Sequence, residues 1–255
     1  MQVAVLTGAS SGIGAALARE LAARNWTCVL LARREDRLRL LSDEIGAEYE
    51  LCDVTDRELV EAVAARVRER HPAVKLLVNG AGIPGRADLL TGDPERIELV
   101  VRTNYLGSLW CLRAFLPALE AARPSEIVNV VSVAGTFAFP ASGPYGASKH
   151  AQLALSRATS ASLRTRGISV HTVNPGFVET EGFPQRAVLG NAFLRRAVIE
   201  PEEVARHIAG LLGNGPSETT IPRWYRVASV AQALAPNLVA RSLARRGPVY
   251  RRPRA

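Results

Sequence analysis

Lysine is nearly missing from this chain: Lys75 and Lys149 stand against 30 arginines. Lys149, four residues after Tyr145, is a position where an ammonium serves instead of a guanidinium. Cysteine is scarce too. Cys28, Cys52 and Cys111 are odd in number and match no metal-ligand spacing. They exclude a disulfide framework and a structural zinc site, and they fit a reduced, cytoplasmic compartment. No run of eighteen apolar residues occurs, so no membrane-spanning helix is expected. The opening "MQVAVLTGAS" has neither a basic n-region nor a small-residue cleavage site, and no signal peptide is expected.

Acidic residues are absent after residue 218. Residues 219–255 carry eight arginines and no acid, while residues 1–218 hold 24 basic and 24 acidic residues. The net charge of +8 is therefore a property of the C-terminal segment. A formally neutral body has no general attraction for polyanions, and no nucleic-acid partner is expected.

What is present is a regular alternation. "VAVL" (3–6), "CVLLA" (28–32), "EYELC" (48–52), "KLLVN" (75–79), "EIVNVVS" (126–132), "ISVHTV" (168–173) and "TTIP" (219–222) read as strands, most of them buried. Helical spacing with charged outer faces fills 13–25, 34–45 and 56–70, and longer or later helices are expected near 94–122, 144–166 and 201–213. Apolar strands alternating with helices predict a parallel sheet of seven strands covered on both faces, built from right-handed βαβ units. No internal repeat or linker interrupts it before residue 223.

The first strand runs into "TGASSGIG", which places Gly8, Gly12 and Gly14 in a strand–turn–helix context. Such a turn brings bare backbone amides and the positive helix end against a pyrophosphate. After the second strand come Ala32, Arg33 and Arg34. A carboxylate there would accept from a ribose 2′-hydroxyl; guanidinium groups suit a 2′-phosphate, and Ser11 can add a hydroxyl. The pattern predicts NADP(H) as cofactor. In "YGASK", Tyr145 and Lys149 are spaced i, i+4 and share a helix face. A tyrosine ordinarily titrates near pH 10, and a neighbouring ammonium would lower that value.

These residues together resemble the short-chain dehydrogenase/reductase family, in its common single-domain branch, over residues 2–222. The resemblance implies a doubly wound Rossmann-type α/β fold with an added C-terminal helical tail. It implies cofactor contacts from Gly8, Ser10, Ser11, Gly12, Ile13 and Gly14, from Asp53 (toward the adenine) and Val54 in "CDVT", and from Asn79, Ala81 and Gly82 in "NGAG". Gly80 stands where the family commonly has a second Asn. "PGFVET" resembles the nicotinamide-side motif, with Pro175, Gly176, Val178 and Thr180, and Tyr145 and Lys149 would also touch the cofactor. The implied catalytic set is Asn104, Ser132, Tyr145 and Lys149, in which Ser132 orients the substrate carbonyl and Asn104 completes a proton relay beside the lysine. A homodimer or homotetramer is the implied assembly, and no metal is expected.

Phe137, Phe139, Phe177 and Phe183 fall on segments after strand ends, together with the variable stretch 185–200, and suggest an apolar substrate pocket. The expected reaction is NADPH-dependent reduction of an apolar ketone or aldehyde, or the reverse oxidation of a secondary alcohol. A second reading is a nucleotide-binding regulator without turnover; the complete set of four favours the enzyme. On these grounds residues 1–222 are read as one catalytic domain. Residues 223–255 are a basic amphipathic extension whose Val227, Val230, Ala231 and Leu234 share a helical face, with Pro236 breaking the pattern. Three placements are open for it: docked on the body or on a neighbouring subunit, laid on an anionic membrane, or free.

Overall fold

The computed structural model describes residues 2–85, 88–138, 143–183 and 197–245. Seven parallel strands form one sheet in the order β3-β2-β1-β4-β5-β6-β9. They are β1 (Gln2–Thr7), β2 (Trp26–Ala32), β3 (Glu48–Leu51), β4 (Leu76–Asn79), β5 (Ser125–Val130), β6 (Ile168–Pro175) and β9 (Glu218–Ile221). A separate two-stranded pair joins β7 (Phe177–Val178) to β8 (Val198–Ile199). Strand alternation explains the two covered faces. In β1, Ala4 and Leu6 pack with helices α1 (Gly12–Ala23), α2 (Glu35–Ile45) and α7 (Pro201–Leu211), whereas Val3 and Val5 pack with α3 (Arg57–Arg70) and α5 (Gly107–Ala121). Leu6 is fully buried, so Leu6→Ala would cost about 2–5 kcal/mol.

Strand order reverses at β1: β2 and β3 lie on one side of it, β4, β5, β6 and β9 on the other. A crevice opens at that switch point, where the β1–α1 turn faces the end of β4. Gly8 adopts φ +71°, and a Cβ there would fall 2.8 Å from the backbone of Ala81. Glycine is thus required both by the dihedral and by the close approach of the two strand ends.

The helix expected over 94–122 is interrupted. It consists of α4 (Pro94–Val101), a π-helical turn over Arg102–Leu106, and α5. Asn104 sits in the widened turn, wholly buried. Spacing of apolar residues does not reveal such a turn, because one extra residue per turn leaves the local pattern helical. The strand expected to reach Ser132 ends at Val130, and Ser132 instead caps a short 3-10 turn (Val133–Gly135) by accepting from the Ala134 amide at 3.1 Å. Helix α6 (Gly143–Arg164) follows. Cys28, Cys52 and Cys111 are buried free thiols whose burial raises their pKa values and makes them inert.

After β9 the chain makes a 3-10 turn (Arg223–Tyr225) and two helices, α8 (Arg226–Leu234) and α9 (Pro236–Arg245). This segment is docked on the body. The Tyr225 hydroxyl donates to the Ala197 carbonyl at 3.1 Å, Ser229 pairs with Thr136 at 2.6 Å, and Gln232 bonds both the amide and the carbonyl of Ala138. Tyr225 lies against Gly176 so closely that a Cβ on that glycine would be 2.3 Å from the ring. The helices attach through these polar groups and one aromatic ring, not through the Val227–Leu234 face, which points outward.

Candidate functional site

Two cavities adjoin at the C-terminal edge of the sheet. One, of about 460 Å³, runs past Gly8, Ser10, Ser11, Gly12, Ile13 and Gly14 to Arg33, Arg34, Asp53 and Val54, and returns along Ala81, Gly82 and Thr180. The other, of about 660 Å³, is lined by Ser132, Phe137, Tyr145, Lys149, Pro175, Gly176, Phe177, Val178 and Phe183. Ile13, Gly82 and Thr180 border both. Residues scattered from 8 to 183 in the chain therefore share one continuous cleft. Asn79 and Asn104 line neither cavity: the Asn79 side chain turns into the sheet and donates to Asn129 Oδ1 at 2.8 Å, and Asn104 is wholly buried beside the cleft. Phe139 lies outside the described residues, as does most of the stretch 185–200.

At the far end of the groove, Asp53 Oδ1 accepts from the Thr55 amide and hydroxyl at 2.9 and 2.8 Å, and Arg33 approaches Oδ2 at 3.5 Å. Burial resists ionisation of this carboxyl, but the Thr55 bonds and Arg33 outweigh it and hold it below the usual carboxylate range. Arg34 crosses the glycine turn, donating to Ser10 and Ser11, and meets Glu181 at 3.2 Å. Neither arginine lies inside helix α2. Arg34 precedes it, and Glu35 and Asp36 occupy the first turn, where negative charge matches the macrodipole. The two guanidiniums face Asp53 and Glu181.

At the other end, helix α6 carries Tyr145 and Lys149 on one face, with the lysine ammonium 5.8 Å from the tyrosine ring centroid. Lys149 is buried, and its Nζ donates to Val130 O at 2.9 Å and to Gln152 Oε1 at 2.7 Å. Burial pulls its pKa down to about 7. Burial pushes the Tyr145 phenol up to about 12, against an opposing hydrogen bond with Ser132. The expected lowering of the phenol by its ammonium neighbour is thus overridden: desolvation disfavours both charged forms.

Asn104 fixes the surroundings. Its Oδ1 accepts from the Ile83 amide at 2.8 Å, and its Nδ2 donates to Ile83 O and to Ser148 Oγ at 3.1 and 2.9 Å. The side chain therefore ties the segment after β4 to α6, while the backbone carbonyl of Asn104 accepts from Ser108 at 3.3 Å. Gln152 Nε2 donates to that same Ser108 at 2.8 Å. A buried chain of polar groups thus links Lys149 to the Asn104 carbonyl through Gln152 and Ser108. Sequence reading assigned no role to Gln152 or Ser108; a glutamine at i+3 from a buried lysine was the available signal. It also missed Tyr225 and Leu243, which the C-terminal helices bring to the pocket wall.

A parallel sheet with a glycine turn at its switch point, and a cleft leading from that turn to a tyrosine–lysine helix, defines a nucleotide-binding α/β protein of the Rossmann type. Residues 2–187 match the family model described as short chain dehydrogenase, and the chain belongs to that family of oxidoreductases. It is 36% identical to a farnesol dehydrogenase of Aedes aegypti over 227 residues, 84% of this chain and 91% of the relative. Two solved structures share the architecture. An alcohol dehydrogenase from the archaeon Thermococcus sibiricus, complexed with 5-hydroxy-NADP, superposes with a TM-score of 0.76 at 30% identity, covering 86% of this chain and 95% of that one. An actinorhodin polyketide ketoreductase with NADPH gives 0.77 at 31% identity and the same coverages.

Proposed function

We propose that this protein reduces the carbonyl of an apolar ketone or aldehyde with NADPH, and runs in reverse on the corresponding alcohol. The observation that carries the reading is the position of Ser132, Tyr145 and Lys149 where the glycine-turn groove meets a largely apolar pocket. The groove fits a nicotinamide dinucleotide: its turn is stripped of side chains by Gly8, Gly12 and Gly14 and opens onto the N-terminus of α1. Arg33 and Arg34 supply the cationic donors a 2′-phosphate needs, which favours NADP(H) over NAD(H). When bound, the cofactor supplies the hydride that the carbonyl carbon accepts.

The chain's own residues do the rest. Ser132 and Tyr145 present hydroxyls to the carbonyl oxygen and polarise it. With its pKa raised to about 12, Tyr145 carries its proton at neutral pH and can give it to that oxygen as the alcohol forms. Loss of the proton leaves a phenolate, which the Lys149 ammonium stabilises. Asn104 acts at a distance by holding the Ile83 segment and Ser148 in place. Phe137, Phe177, Phe183 and Leu243 make the pocket apolar, and a relative named for farnesol, an apolar alcohol, agrees with that character.

The test is NADPH consumption across a panel of apolar ketones and aldehydes, with Tyr145→Phe as the comparison. Turnover should fall by roughly 10²–10⁴ in the variant, the usual contribution of a positioned acid, while NADPH binding persists. Turnover indifferent to the substitution would overturn the assignment of Tyr145, and no turnover of any panel member would favour a non-catalytic nucleotide-binding role.

A further inference from the structure

Helix α8 is amphipathic in the reverse sense to a docked surface helix. Residues of α8 that face the body are polar: Ser229 and Gln232 make the hydrogen bonds to Thr136 and Ala138. Most large apolar side chains of the segment face away, while Leu243 of α9 turns toward the pocket. Trp224, Val227, Val230, Leu234 and Leu238 are 55, 71, 50, 81 and 65% exposed, and Ala231 is exposed beside them. Spacing places 227, 231 and 234 on one stripe, which Leu238 extends past the Pro236 break. Half or more of each of these side chains stays in water, an arrangement that gains nothing for the isolated molecule.

Charge identifies the occupant. Arg223, Arg226 and Arg241 are exposed around the stripe, and residues 219–255 include no acid to balance their eight arginines. A second copy meeting this face through a two-fold axis would bring arginine against arginine, whereas anionic headgroups complement it. Among the described residues no helix is long and apolar enough to cross a membrane, so contact would be at the interface, with the helix axes in its plane. Trp224, stacked on Tyr225 with ring centroids 3.9 Å apart, is the kind of amphipathic ring that settles at headgroup level.

We infer that the outward face of residues 224–241 is a docking surface for an anionic lipid membrane. Its apolar stripe enters the headgroup–acyl boundary and its arginines pair with acidic headgroups. The same segment turns Tyr225 and Leu243 inward to the pocket wall, so the docked face and the pocket rim belong to one stretch of chain.

The experiment is co-sedimentation of the full chain with phosphatidylcholine vesicles, with and without phosphatidylserine, at low and high salt. Binding should require phosphatidylserine and weaken as salt rises. Leu234→Glu/Leu238→Glu should abolish it with an unchanged melting temperature, because both side chains are already in water. Arg241→Glu should weaken it at least roughly fivefold, the effect of about 1 kcal/mol per basic residue near an anionic surface. Absence of vesicle binding, or equal binding by the double-glutamate variant, overturns the inference. So does size-exclusion showing that the double variant drops the wild-type assembly by one step, for then a second copy occupies the face.

Discussion

Lys149 Nζ donates a 2.7 Å hydrogen bond to Gln152 Oε1, one turn further along α6, and both side chains are buried. Gln152 in turn donates to Ser108, so the amine is held from below by an uncharged amide that is itself oriented. Burial brings the ammonium's pKa down to about 7, and the carbonyls of Gln152 and Val130 are acceptors for its charged form.

Replacing that acceptor should be visible in pH dependence. With Lys149 at about 7, its ammonium is present below that pH and is lost above it. Gln152→Leu removes a bond to the charged form, so the corresponding limb of the pH–rate profile moves to lower pH and kcat at mildly alkaline pH falls by roughly tenfold. Gln152→Glu moves the limb the other way. A merely structural glutamine would lower the melting temperature in both variants without moving the limb.

The proposed preference for NADPH is tested at Arg33. Arg33→Ala should raise KM for NADPH by roughly tenfold or more, the loss of a charge-assisted bond, and leave NADH nearly unchanged. The exposed Arg33–Asp53 contact at 3.5 Å contributes little to folding, so the melting temperature should hold. Equal losses with both nucleotides would assign Arg33 to the adenosine that the two share.

Pocket length is tested at Leu243. Truncation to Ala should raise KM for long apolar substrates by roughly fivefold and spare a short ketone that does not reach α9, since one lost apolar contact in a pocket is worth about 1–3 kcal/mol at most. An identical change for both substrates would show that Leu243 supports the fold and not the substrate.

Glu126 and His171 form a buried pair at 2.9 Å between β5 and β6, and Glu126 also accepts from the Gly213 amide. Burial opposes the charge on His171, but Glu126 and the Pro216 carbonyl raise its pKa above 6.5; burial opposes ionisation of Glu126, but His171 and Gly213 lower its pKa below 4.5. Stability from His171 is then full below about pH 6.5 and fades as pH rises through the raised value. Stability from Glu126 is full above about pH 4.5 and fades as pH falls through the lowered value. Melting temperature should peak between those limits, and Glu126→Gln should flatten both slopes while costing about 1–3 kcal/mol.

The periodicities of the chain carried the seven strands, their alternation with helices and the glycine turn, because strand burial on two faces and a pyrophosphate turn each demand residue types at fixed spacing. Tyr145 and Lys149 were legible for the same reason: i, i+4 on a helix is a local relation. His71 and His207 are half-buried against Glu48 and Thr219, contacts between residues distant in sequence that no spacing rule announces. The π-helical turn at Asn104 also escaped, since the apolar pattern around it remains helical.

Sequence alone therefore determined the architecture, the loop chemistry and the residues that meet in the cleft, all consequences of local pattern. Tertiary structure decided their electrostatics and surroundings. Burial, a property of the assembled fold, pulls the Lys149 pKa down to about 7 and pushes that of Tyr145 up to about 12. Only packing could reveal that Gln152 and Ser108 lie under the lysine, or that α8 docks by its polar side. Its apolar stripe was plain in the sequence; that it faces water was settled by which side Thr136 and Ala138 could bond.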